Sequence, residues 1–345
     1  MSTTYDLLIL TNLPSFYKIN LYNQISKNKK IKVLFICNNS TIRNSDFTNA
    51  EIEFDYDIIS YDFYENRNKI KVFLSLIKKI YTIKYEKIFY SGWETIEVVP
   101  LLYLVPKNKN NIIIESSILE SNVTGFKGFI KRIFVSRCSD AFPSGKLQID
   151  LLKALNFTGN IHITHGVGLL NPSFYQMISE KRSRNVDKKF IYVGRLSSEK
   201  NIKYLIDSFN INGKKLTIVG DGPEFDYLYE LANDNITFSG YINNEIIKKL
   251  LLEHDVFILP SVSEVWGLVV EEALFSGLPV LVSENVGCKF DLVESPKTGL
   301  VFKLNDISDI NSKIEEINDN YDFYYNNVLH LKYSDRVKLQ VEAYF

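Results

Sequence analysis

The sequence predicts an α/β protein built from two doubly wound, parallel-sheet domains, and three observations point there. Short apolar runs rich in Ile, Val, Leu and Phe alternate with longer stretches of helical periodicity, the pattern of a parallel sheet whose crossovers are helices. That rhythm runs twice, with a break at 166–189 marked by Gly166, Gly168, Pro172 and a charged run from Glu180 to Lys189. The chain also has 345 residues, which favours two cores over one.

Taken in order, Tyr5–Thr11 (YDLLILT) is a first strand, and the loop Asn12–Phe16 leads into a helix from about Tyr17 to Ser26. Strands follow at Ile31–Cys37 and Asp55–Ser60, a long helical pattern at Asn68–Ile83, a strand at Lys87–Ser91 and a short helix at Glu94–Tyr103. Asn111–Glu115, Asp140–Pro143 and Asn160–Thr164 are further strands, separated by helices at Phe126–Arg137 and Lys146–Leu155. After the break, strands at Phe190–Val193, Lys215–Val219, Ile236–Ser239, Val256–Leu259, Pro279–Val282 and Gly299–Lys303 alternate with helices. Those helices fall at Lys200–Asn210, Glu224–Ala232, Glu245–Glu253, about Gly267 to Ser276, and Ile307–Ile317. The expected domains are therefore 1–165 and 190–323, with a linker at 166–189. A helical tail at 324–345 is expected to pack back on the first domain. No sequence repeat of 20–50 residues occurs; only the architecture repeats.

Composition narrows the class. The chain is 46% hydrophobic and 23% charged, ordinary for a globular protein with sizeable cores. Cys37, Cys138 and Cys288 stand apart, which fits a reducing compartment and excludes a Cys-pair zinc site. No basic-then-apolar leader is visible and no apolar run approaches the roughly 20 residues that span a bilayer. The expectation is a cytoplasmic protein, soluble or peripheral on the inner face of the cytoplasmic membrane. Residues 1–165 hold 21 Lys and Arg against 15 Asp and Glu, and the remainder 19 against 26. A basic half of this kind suits an anionic partner. Nothing resembles a nucleic-acid module, so a membrane surface is the better candidate. The stretch GFKGFIKRIF sets Phe126, Phe129, Ile130, Ile133 and Phe134 at helical spacing beside Lys127, Lys131 and Arg132. It reads either as a helix packed on the sheet or, in addition, as a basic face on anionic lipid.

The chemistry concentrates in HDVFILPSVSEVWGLVVEEALFSGLPVLVSE, His254–Glu284. It is a strand–loop–helix–strand unit, and ligands of such sheets bind beyond the carboxyl ends of the strands. Glu264 lies in the loop and Glu272 eight positions later in the helix, where carboxylates can accept hydrogen bonds from a polyhydroxylated ligand. Amides at Gly267, Leu268 and Val269 open the helix and suit an anion. Upstream, GRLSSEKN sets Arg195 and Lys200 around a polar loop, a diphosphate site or, taken alone, a solvated loop. VGDGPE turns a strand into a helix, and ITFSGYI places Tyr241 at a strand end, for a base or for packing.

Together and in this order, GRLSSEKN, VGDGPE, ITFSGYI and PSVSEVWGLVVEEALFSGLPVLVS strongly resemble the C-terminal half of the retaining family-4 glycosyltransferases, over about Phe190 to Phe302. The resemblance implies the GT-B fold, two Rossmann-like domains facing a central cleft. It implies that Arg195 and Lys200 bind the donor diphosphate, that Glu264 stands by the donor sugar, and that Glu272 takes the ribose. Gly267, Leu268 and Val269 would meet phosphate or sugar, and Tyr241 the donor. No metal is expected. Asp55-Tyr56-Asp57 spells a DxD, but at the entrance of a strand in the wrong domain.

The first domain is less typical. TNLPSFYKINLYNQI looks like a proline–aromatic variant found in bacterial polysaccharide glycosyltransferases, which puts Pro14, Ser15 and Phe16 at the cleft and Lys18 toward phosphate; the same residues also read as a turn and staple. IIIESSI places Glu115, Ser116 and Ser117 where many relatives carry a histidine, so either Glu115 or the leaving phosphate takes the acceptor proton. Trp93 and Glu94 are candidates for an acceptor platform, or Trp93 for packing. The function expected is transfer of a sugar from a nucleoside diphosphate sugar, UDP favoured, to a hydroxyl of a glycan or lipid-linked glycan in cell-surface polysaccharide assembly. A sugar-nucleotide 2-epimerase and a non-catalytic nucleotide-binding partner of another transferase remain as alternatives.

Overall fold

The computed structural model describes residues 3–42, 50–171 and 188–345, in two units, Met1–Asn171 with Ser334–Phe345, and Pro172–Tyr333. In the first unit, strands β1 (Thr4–Thr11), β2 (Ile31–Asn39), β3 (Asp55–Phe63), β4 (Lys84–Ser91), β5 (Asn110–Ile114), β6 (Asp140–Pro143) and β7 (Asn160–Ile161) form one sheet. Its order is β3-β2-β1-β4-β5-β6-β7 and all its pairings are parallel. Helices α1 (Phe16–Ser26), α2 (Lys69–Thr82), α3 (Leu101–Leu104), α4 (Gly125–Ser136) and α5 (Lys146–Ala154) connect them.

The apolar run of β1 shows why the sheet is covered twice. Side chains alternate along a strand, so Leu8 and Leu10 join Leu34, Ile36, Ile88 and the α2 residues Val72, Leu76 and Ile80 on one face. Leu7 and Ile9 join Val33, Phe35 and the α1 residues Ile19, Tyr22 and Ile25 on the other. Burial of each such aliphatic side chain contributes roughly 1.5–3 kcal/mol. The second unit repeats the scheme with β8 (Phe190–Val193), β9 (Leu216–Val219), β10 (Ile236–Gly240), β11 (Val256–Leu259), β12 (Val280–Ser283) and β13 (Gly299–Phe302), in the parallel order β10-β9-β8-β11-β12-β13. Its helices are α6 (Ile202–Asn212), α7 (Phe225–Leu231), α8 (Asn244–Leu252), α9 (Leu268–Phe275), α10 (Ile307–Asp319) and α11 (Tyr321–Leu329). Strands β8, β11 and β12 are buried along their whole length, hence their unbroken apolar sequences.

Each sheet reverses its strand order once, between β1 and β4 in the first unit and between β8 and β11 in the second. Ligands of open α/β sheets bind at such switch points, beyond the carboxyl ends of the two central strands. Those ends lead into Asn12–Ser15 and Gly92–Thr95 in the first unit, and into Gly194–Lys200 and Pro260–Gly267 in the second.

Several boundaries differ from the sequence reading. The helix expected at Glu94–Tyr103 is a 3₁₀ turn at Ile96–Val98 followed by the four-residue α3, because Pro100 has no N–H to carry a helix through. The helix expected from Lys200 starts at Ile202: Ser198–Lys200 is a 3₁₀ turn, and Asn201 with φ 55° separates the two. The tail corrects the expected return at 324. Helix α11 stays with the second unit, where the Tyr321 hydroxyl donates to the Asp255 carbonyl and the Asn327 amide to the Lys297 carbonyl. The return begins at Ser334, in α12 (Tyr333–Glu342). Val341 and Tyr344 then join the first unit's core, with the Tyr344 ring stacked on Phe142 at 5.3 Å. Of the expected linker at 166–189, residues 172–187 lie outside the described ones. Among the described residues no helix is long and apolar enough to cross a membrane.

Candidate functional site

The second unit's switch point is assembled from two loops. After β8, the buried Tyr192 donates its hydroxyl to the Arg195 carbonyl at 2.9 Å, which leaves the Arg195 side chain exposed. Ser197 donates to the Glu199 carboxylate at 2.6 Å, and the Glu199 carbonyl accepts the Val262 N–H at 2.9 Å. The β8 loop is thereby tied to the β11 loop. Across this tie the Lys200 ammonium is ion-paired and hydrogen-bonded to Glu264, both side chains being largely buried. Lys200 and Glu264, separate in sequence, thus meet, with Arg195 exposed in the same loop as Lys200.

The β11 loop is held from beneath. The carbonyls of Glu264 and Trp266 accept N–H groups of Gly287 at 2.8 Å and Cys288 at 3.0 Å, and Glu264 forms a β-bridge with Val286. This approach is so close that a Cβ on Gly287 would stand 1.8 Å from the Val265 carbonyl oxygen. Gly267 then turns the chain into α9 with φ 104°, a conformation that suits only glycine well. The first-turn amides of α9 have no intrahelical acceptor, so Leu268 and Val269 present N–H groups beside Glu264. One turn on, Glu272 is half-buried. Burial, and secondarily the Glu271 carboxylate, push its carboxyl up to about 8. Tyr241 follows β10 and is 54% exposed.

The motif reading missed the buried partners. Trp266 and Glu271 are each 2% exposed, and the indole N–H donates to the carboxylate at 2.7 Å. A tryptophan between Glu264 and Gly267 and a second glutamate before Glu272 were the available signals. His254, just beyond α8, is buried and bonds to the Leu250 carbonyl and the Thr217 hydroxyl at 2.7 and 2.8 Å. Burial lowers its proton affinity, so hydrogen bonding and not charge explains its place.

In the first unit, Pro14, Ser15 and Phe16 are buried, Ser15 preceding α1 and Phe16 opening it; their side chains pack inside the protein. Lys18, expected to reach toward phosphate, is 8% exposed and contacts Glu115 at 2.9 Å, the Ser91 hydroxyl at 3.0 Å and the Thr11 hydroxyl at 3.3 Å. Burial alone would depress this ammonium, but the Glu115 carboxylate outweighs it and holds Lys18 above the usual lysine value. Glu115 is therefore already engaged by a cation, and Ser116 beside it is half-buried. Trp93 is half-buried, with the Lys131 ammonium 4.9 Å from its ring centroid. Arg132 donates to the Val123 carbonyl at 2.8 Å. Two of the three cations expected to face lipid thus have partners within the unit. Phe126 and Phe129 do not pack on the sheet: they are 76% and 56% exposed. Among the described residues, no cluster of three or more His, Cys, Asp or Glu could hold a metal ion.

Residues 176–328 match the family model of the glycosyl transferases group 1. The chain is similar to an uncharacterised glycosyltransferase of Methanocaldococcus jannaschii, 34% identical over 143 residues, covering 38% of this chain and 36% of that protein. It is also similar to a UDP-Gal:alpha-D-GlcNAc-diphosphoundecaprenol alpha-1,3-galactosyltransferase of Escherichia coli, 33% identical over 143 residues with the same coverage of each. The chain thus spans a little over a third of the length of these curated relatives. Among solved structures, the apo lipopolysaccharide outer core galactosyltransferase WaaB superposes with a TM-score of 0.73 at 14% identity, covering 99% of each chain. The fold is GT-B.

Proposed function

We propose, from the premise that the chain carries the glycosyl transferases group 1 domain over residues 176–328, that it moves a sugar from a nucleoside diphosphate sugar to a hydroxyl acceptor with retention at the anomeric carbon. The observation that carries this reading is the Lys200–Glu264 pair, set beside Gly267 and one turn before Glu272 at a sheet switch point. An ammonium has three donors, so Lys200 can keep Glu264 and still reach a phosphate oxygen. Arg195, Lys200 and the first-turn amides of α9 then stabilise the departing diphosphate, the charge that grows in the transition state. These groups supply the countercharge with no metal. Glu264 positions the donor sugar, and Glu272 accepts hydrogen bonds from the ribose. Glu115 is held by Lys18, which favours the leaving phosphate over Glu115 as acceptor of the proton.

UDP is the favoured carrier and a lipid-linked glycan of cell-surface polysaccharide assembly the favoured acceptor, a reading supported by the substrate named for the Escherichia coli relative. Exposed Phe126 and Phe129 beside Lys127 would rest on lipid at the inner membrane face, where such an acceptor resides. Sedimentation with anionic liposomes tests this, and unchanged binding after Phe126→Ser and Phe129→Ser would remove it. The main test is a transfer assay with UDP- and GDP-sugars and lipid-diphosphate glycans, the product's anomeric configuration being read by NMR. Retained configuration, lost in Lys200→Ala, is the expected result. Conversion of donor without acceptor would mean an epimerase. Donor binding without turnover on any acceptor would mean a non-catalytic partner.

A further inference from the structure

We infer that Trp266 and Glu271 form an internal clasp that sets the position of Glu264 relative to Glu272, making Glu271 a positioning residue for donor binding. The inference rests on the reading of those two glutamates as donor-binding. Trp266 lies two residues after Glu264 in the loop, and Glu271 immediately before Glu272 in the first turn of α9. The 2.7 Å bond between the indole N–H and the carboxylate therefore spans Gly267 and fastens loop to helix across the most flexible point of the connection.

The clasp complements the backbone bonds described above. Gly287 and Cys288 hold the loop from β12's side through the carbonyls of Glu264 and Trp266, but neither bond fixes the loop against the helix. The clasp does. A carboxylate this deeply buried is expensive to keep unless it is bonded, and the indole N–H is a donor with no alternative role. Each partner therefore holds the other in place.

Glu271 has a second effect that a structural strut would not have. Its carboxylate adds to burial in favouring the protonated form of Glu272. Of the elements packed against α9, β11 (VFIL) and β12 (VLVS) bring no charged side chain. Beyond burial, Glu271 is the neighbouring charge that raises Glu272. A ribose hydroxyl donates best to an ionised carboxylate, so the same residue that fixes the geometry sets the pH range in which donor is held.

The test is isothermal titration of the full chain with UDP between pH 6 and 9, alongside thermal melting. Glu271→Gln keeps an oxygen that accepts the indole N–H and is expected to melt close to the wild type, with the pH midpoint of UDP binding moved downward. Trp266→Phe leaves Glu271 buried without this donor and is expected to lower both the melting temperature and UDP affinity, the latter by ~10-fold. Trp266→Phe with Glu271→Leu removes both partners and should recover the melting temperature while UDP affinity stays low. If Glu271→Gln leaves the pH midpoint where it was, or if the double variant binds UDP as the wild type does, the clasp does not position the site. If the wild type binds no UDP or GDP, or Glu272→Ala binds as well as it does, the donor-site reading fails and the inference with it.

Discussion

The two switch points share a topology and differ in what they do with charge. In both units a cation meets a glutamate beyond the carboxyl ends of the strands: Lys18, after β1, with Glu115, after β5, and Lys200, after β8, with Glu264, after β11. Lys18 is sealed, its ammonium spent on Glu115, Ser91 and Thr11, with the buried Tyr22 beside it. Lys200 is less enclosed, has an exposed arginine in the same loop and a helix start beside its partner. A buried pair with every donor satisfied supports a fold, whereas a pair flanked by exposed cations and amides can still take an anion. A cation–glutamate pair at the carboxyl edge of a parallel sheet is a strut in one unit and a candidate donor site in the other.

The comparison breaks most visibly at the two lysines. Lys200→Ala is expected to lower transfer by ~10²–10³-fold, the size of effect seen when one stabilising donor of a transition-state charge is removed. Lys18→Met should instead remove about 3 kcal/mol of stability by stranding Glu115 while donor affinity holds; UDP titration separates the two. Glu272→Ala should weaken donor binding by ~10–100-fold, the worth of hydrogen bonds to a charged group. Gly287→Ala sharpens the account of the loop: its Cβ has no room beside the Val265 carbonyl, and about 1–3 kcal/mol of strain should appear as lost stability and weaker donor binding.

The smallest effect is that of pH. Glu272 titrates near 8 in the folded chain against an ordinary 4.5. A raised carboxyl binds protons more tightly folded than unfolded, so its contribution to stability is greatest at low pH and declines as pH rises from about 4.5 to about 8. Donor affinity should move the other way, strengthening as pH rises toward 8 and Glu272 ionises. Thermal melts and titrations across that window check both signs.

The second unit was legible because its site is written in contiguous peptide. Strand, glycine turn and helix follow one another from Val256 to Ser283, and Glu264, Gly267 and Glu272 keep a spacing that the backbone alone imposes. What escaped was whatever depends on burial. Nothing in the spacing shows that the indole of Trp266 turns inward to Glu271, or that Asn201 halts the chain so that Lys200 ends a 3₁₀ turn. In the first unit, Lys18 and Glu115 are nearly a hundred residues apart and meet only because β1 and β5 flank β4. Read from the sequence, each looked available. The tail was misplaced for a related reason: helical periodicity runs through Tyr321–Leu329 and Tyr333–Glu342 alike, and only packing tells which one leaves the second unit.

The most direct test is titration of the wild type, Lys200→Ala and Lys18→Met with UDP at pH 8, each variant first shown to be folded. The account predicts that UDP affinity falls by ~10–100-fold in Lys200→Ala and is unchanged in Lys18→Met. Equal affinity in the wild type and Lys200→Ala, or loss in Lys18→Met alone, would place the nucleotide elsewhere and contradict it.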